Sequence, residues 1–161
     1  MSTSSILKLR RRTSASDQSG VGLIEILVAV LVLSIGFLGI AALQAMSLST
    51  NNSAMARSMA TINSYSILDS MRADLANARN GNYNGTVTAS GCKAGTTLAG
   101  AQLYQWCEQL GSSLGAEDTT TGKVACDAGG TGNCTITITF DDSRAGAGGT
   151  TAQTIVTKAM L

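Results

Sequence analysis

The side chain that most demands a chemical reason is Glu25. It closes the hexapeptide Gly20-Val21-Gly22-Leu23-Ile24-Glu25, at the head of a run that is almost wholly apolar from Val21 to Leu43. An ionised carboxylate in hydrocarbon is unfavourable by about 2.5 kcal/mol or more, so it is kept for a partner or a task. The second reactive set is four thiols, Cys92, Cys107, Cys126 and Cys134, all beyond the apolar run. An even count in an exported segment points to two disulfides. Three pairings are open. Short local loops favour Cys92 with Cys107 and Cys126 with Cys134, but spacing does not decide it. No Cys-x-x-Cys and no histidine occurs, so no metal site is expected. With no clustered carboxylates and no nucleophile beside an evident base, neither an enzyme nor a cofactor is expected.

Charge is distributed unevenly. Lys8, Arg10, Arg11 and Arg12 precede Gly20 with only Asp17 to oppose them, whereas the remainder carries seven basic and nine acidic residues, a balance of −2. The body therefore lacks the basic footprint of a nucleic-acid binder. The basic leader reads as a topogenic signal that stays cytoplasmic. The 23 residues from Val21 to Leu43 would span about 35 Å as a helix, enough for a bilayer core. A cleaved secretory signal would be shorter and end in a small-residue site. A plain signal anchor would explain the length and the basic flank but not Glu25.

Four segments follow: a leader at 1–20, a transmembrane or filament-core helix half at 21–43, an amphipathic helix half at 44–80, and a small disulfide-containing α+β domain at 81–161. One helix is expected from 21 to about 79. On its second half Met55, Met59, Ile62, Tyr65, Leu68, Met71 and Leu75 recur every three or four residues, which predicts the buried stripe. Ser53, Asn63, Ser70, Asp74 and Arg79 are placed on the wet face. Asn80-Gly81-Asn82 supplies the stop. Beyond it, Ala101–Leu114 reads as a helix with Leu103, Trp106, Cys107, Leu110 and Leu114 on one face, closed by Gly115. Trp106 reads as its core anchor, with a surface binding role as the alternative. Strands are expected at 86–88, 122–126, 134–140 and around 154–157. Cys134–Phe140 alternates strictly. The glycine-rich stretches 128–132 and 145–149 read as hairpin connections. The result is an α+β fold: a helical spine, half membrane and half amphipathic, on a small antiparallel sheet. The core is poor in aromatics, and two disulfides offset that, each by typically about 2–4 kcal/mol.

Gly20 followed by an apolar segment with Glu25 resembles the type IV prepilin processing motif. That resemblance implies cleavage by a prepilin peptidase after Gly20, with Val21 as the new, N-methylated terminus. The position after the cut is commonly phenylalanine and the next serine or threonine; here they are Val21 and Gly22. The new ammonium would lie one helical turn from Glu25, and in a filament Glu25 of one subunit could meet the amine of its neighbour, penalising wrong registers. Leu31–Gln44, Asp69-Ser70-Met71-Arg72-Ala73 and Asn80-Gly81-x-Tyr83 are similar to the minor pilin family called PilV, or type IV pilus modification protein. The resemblance implies a type IV pilin-like fold and a low-copy, priming or tip-proximal subunit that supports twitching and adhesion. The implied partners are other minor pilins, the major pilin, a tip adhesin and the inner membrane, with no nucleic acid. The implied location is single-pass in that membrane with a periplasmic C-terminal domain, then the fibre. A type II secretion pseudopilin shares the leader and Glu25, and is the alternative. Gly36 and Gly39 read either as close-packing residues or as points of helix softening.

Overall fold

The computed structural model describes residues 20–127, 131–145 and 149–161, so the leader up to Ser19 and the centres of both glycine-rich connections lie outside the described residues. The chain forms two compact units, the first ending at Ala41 and the second running from Ala42 to Leu161. Helix α1 (Leu23–Ala73) runs through residues of both. Its apolar part has a mean hydropathy of 2.9 over an 18-residue window, and none of that window is buried.

The second unit is α+β. A short α2 (Leu75–Arg79) follows α1, then β1 (Gly85–Thr88), α3 (Leu98–Leu114), β2 (Thr121–Cys126), β3 (Asn133–Phe140) and β4 (Gln153–Met160). The strands make one antiparallel sheet in the order β1-β2-β3-β4. On β3 the alternation is read out as expected: Cys134, Ile136, Ile138 and Phe140 are buried, while Thr135, Thr137 and Thr139 face out. The core joins these side chains to Val124 on β2, Trp106 and Leu110 on α3, and Ile67, Leu68 and Met71 on α1.

The buried face of α1 is not the expected one. Leu68 and Met71 are buried, but Met55, Met59, Ile62, Tyr65 and Leu75 are exposed. Their place is taken by Ser53, Ala60, Asn63, Ser64 and Ile67, two of which had been assigned to the wet face. The physical reason is close approach. Small side chains let the helix lie against bulky residues of the sheet and α3, and the polar ones are satisfied. Asn63 donates to Ser113 Oγ at 2.8 Å, and Ser64 Oγ donates back to the Ala60 carbonyl at 3.0 Å. Among the described residues no buried side-chain nitrogen or oxygen lacks a partner.

The expected single helix to residue 79 is interrupted at Asp74, whose φ of −125° and ψ of 53° leave the helical region. Its carboxylate accepts from Asn77 Nδ2 at 2.8 and 2.9 Å and from the Tyr83 hydroxyl at 3.1 Å. This local hydrogen bonding competes with the helix. The exit is a Schellman turn. Gly81 takes φ +76°, Gly81 N–H donates to Ala78 and Asn82 N–H to Asn77. Helix α3 begins three residues earlier than the spacing predicts, because Thr97 caps it and accepts from Gly100 N–H at 3.1 Å.

Tyr83, fully buried, carries a pH signature. Burial first, and then the Asp74 carboxylate, push its phenol from 10.0 up to about 12. The fold thus holds the protonated form more tightly than the unfolded chain does. That stabilisation is complete below pH 10 and is lost as pH rises from 10.0 through about 12. In an alkaline titration followed by phenolate absorbance, one tyrosine should ionise near the top of that window or together with unfolding. The signal should vanish in Tyr83→Phe.

Candidate functional site

Of the residues singled out for chemistry, Gly20, Val21 and Glu25 lie close in sequence at the start of the described residues. Gly20 is exposed, and a Cβ built on it would meet nothing within 4 Å. Val21 is 65% exposed. Neither these two nor Gly22 is helical, so the Gly20–Val21 peptide bond lies outside the helix in exposed chain. The helix starts immediately after. Gly22 O accepts from Glu25 N–H at 2.9 Å and from Ile26 N–H at 3.3 Å, which closes the first turn.

Glu25 therefore stands in the first turn of α1. A negative charge is favoured there, since the unpaired N–H groups of a helix start carry about half a positive charge. Glu25 lies four positions after Val21, which itself stands outside the helix. Glu25 is exposed and has no ion-pair partner among the described residues. Around it Leu23, Ile24, Ile26, Leu27 and Val28 are each more than half exposed. The arrangement is an exposed, non-helical Gly20–Val21 bond and one carboxylate at the head of an uncovered apolar helix.

The four cysteines lie elsewhere, in the second unit. They form two bridges, Cys92–Cys107 and Cys126–Cys134, which is the local arrangement. The first ties the β1–α3 connection to α3; the second joins directly paired residues of β2 and β3. They brace the second unit. Among the described residues no group of His, Cys, Asp and Glu could hold a metal ion.

Two features were not legible in the spacing. The first is the exposed stripe on α1 within the second unit, where Met55, Ile62 and Tyr65 are 60%, 56% and 53% exposed. The three-and-four spacing puts these residues in the core, and only the small-residue pattern at 53, 56, 60 and 64 signals that the helix faces the other way. The second is a polar clamp. Asp142, 5% exposed, accepts from Ser53 Oγ at 2.6 Å and pairs with Arg57 at 3.3 Å. Ser49 Oγ adds a bond to the Arg144 carbonyl at 2.8 Å. The clamp fastens the β3–β4 connection to α1.

A family model described as the prokaryotic N-terminal methylation motif matches residues 15–41. The match covers Gly20, Val21 and Glu25 and stops at the end of the first unit. No curated protein and no solved structure is found to match the chain.

Proposed function

We propose that this chain, whose N-terminus carries the prepilin-type methylation motif of pilin-like proteins, is a minor pilin of a type IV pilus. The observation that carries the reading is that motif placed on an accessible Gly20–Val21 bond, leading directly into an uncovered apolar helix. A prepilin peptidase cuts after Gly20, and the exposed Val21 amine is methylated. The helix holds the subunit in the inner membrane until assembly, with the leader cytoplasmic and the disulfide-braced domain periplasmic. In the fibre Glu25 sets the axial register against a neighbour's amine. The uncovered Met55, Met59, Ile62 and Tyr65 stripe supports helix-to-helix packing with other subunits, because apolar faces of this kind are seldom left to water.

The similarity of Leu31–Gln44 and of Asn80-Gly81-x-Tyr83 to the PilV family favours a low-copy, priming or tip-proximal place beside other minor pilins, the major pilin and a tip adhesin. Twitching and adhesion would then depend on it. No catalytic role is assigned. A deletion strain tests this, scored in parallel for sheared surface pili with twitching and for type II secreted enzymes. Loss of pili with secretion intact is the expected result. Lost secretion with normal pili would move the protein to the secretion pseudopilus.

A further inference from the structure

The sheet ends at β4. Among the described residues β4 pairs with β3 and has no strand on its other side. It therefore offers solvent a row of backbone N–H and C=O groups. Proteins blunt such edges with short strands, charged side chains, prolines, bulges or inward-pointing charges. Of these β4 carries only the exposed Lys158. It is as long as β3, and its register runs without a bulge from Asn133↔Met160 to Phe140↔Gln153. The chain has no proline. The single charge on β4, Lys158, points outward, with Thr154, Val156 and Met160 on the same exposed face.

The inner side of β4 is also unfinished. The inward residues of β3 are buried, whereas those of β4, including Ile155 and Ala159, are only half-buried although they pack on the core. A free ladder and an incompletely covered core coincide on the same strand.

We infer that β4 is a docking edge that takes a fifth strand from another protein: an extended segment, antiparallel to β4, with an acidic side chain opposite Lys158. Strand addition supplies affinity through the main-chain ladder and specificity through alternate side chains. The charge of the occupant follows from the sheet. Its four strands contain no acid, and their only charged residues are Lys123 and Lys158. Asp127, just beyond β2, lines the same depression as Lys158 but makes no ion pair with it. Directly opposed unlike charges on neighbouring strands attract, and like charges repel. Inward positions of the added strand, next to Ile155 and Ala159, take apolar side chains. A second copy of β4 brings no acid to Lys158, which argues against self-pairing.

The test uses the full chain in detergent micelles and a synthetic seven-residue peptide, threonine and valine alternating around a central aspartate. A second peptide carries lysine at the centre. Amide hydrogen exchange is read residue by residue. The aspartate peptide should slow exchange of the outward β4 amides by roughly tenfold or more, and the lysine peptide should do so only in Lys158→Glu. Lys158 is exposed, so that substitution leaves the fold intact. Absence of slowing on β4, slowing indifferent to the charge swap, or protection that appears without peptide as protein concentration rises would each overturn the inference, the last by assigning the edge to a second copy. None of these readouts depends on whether the chain enters a fibre.

Discussion

Glu25→Ala is expected to stay in the membrane and to disappear from sheared fibres. The first half follows from transfer energetics. Removing a carboxylate from an apolar helix relieves a cost of about 2.5 kcal/mol, so insertion improves or stays level. The second half follows from pairing. On the proposed function, the Val21 ammonium of one subunit would be buried among apolar helices of the filament, and leaving such a charge without its partner is unfavourable by about 3–5 kcal/mol. That corresponds to a loss of incorporation of about a hundredfold or more. Peptidase processing is read separately, by the mobility shift on loss of the leader, so that a cleavage defect is not mistaken for an assembly defect. Glu25→Asp, which keeps the charge, should restore part of the incorporation. Glu25→Gln, which keeps the shape, should not. Normal recovery of the alanine variant in fibres would remove Glu25 from the assembly step.

Trp106→Ala is expected to bring the second unit close to unfolding. Trp106 is 2% exposed, and its indole N–H donates to the Asn63 carbonyl at 2.9 Å. Its ring lies so close to β2 that a Cβ on Gly122 would be 2.5 Å from the ring edge. Truncation leaves a large cavity, at about 3–5 kcal/mol, and removes the indole's bond to the Asn63 carbonyl. Against a total stability of about 5–15 kcal/mol this is a large fraction. Chemical denaturation of the full chain in detergent, followed by far-ultraviolet circular dichroism, should show the midpoint fall sharply. Gly122→Ala tests the same contact from the other side. The new methyl group must displace the ring or the Leu110 side chain, so it too should destabilise. An unchanged midpoint in both variants would mean that the α3–sheet contact is not the centre of the core.

How far the sequence speaks can be judged element by element. The strict alternation of Cys134–Phe140 forces one face inward, and the structure shows that face buried. Asn80-Gly81-Asn82 names its own turn, because glycine accepts the positive φ that ends the helix. The α+β architecture follows from these local signals together. The buried stripe of α1 does not, because size and hydrophobicity do not mark the buried side of this helix. In a helix that also meets other surfaces, the large residues can belong to the outside, and alanine and serine mark the contact that must be tight. The break at Asp74 depends on Tyr83, nine residues on, and the early start of α3 on a threonine followed by a glycine that reads as loop. At the candidate site, the glycine, the glutamate and the apolar run are contiguous and so are readable. The clamp at Asp142 joins residues about ninety positions apart, which no local pattern announces.

The clamp also sets an order of events. Ser49, Ser53 and Arg57 are synthesised early, yet their partners Asp142, Arg144 and Gln153 lie 85 to 96 residues further along the chain. Contacts of such long sequence separation form slowly, since chain entropy must be given up before they contribute. The α1 segment of the second unit can turn into helix alone, but its inner face closes only after β3 and the connection behind it have been delivered. Until then Ile67, Leu68 and Met71 stand open beside the outer stripe, and the helix is apolar on two sides. The chain therefore passes through an interval, after α1 has been made and before β4 has arrived, in which it most needs protection from wrong association.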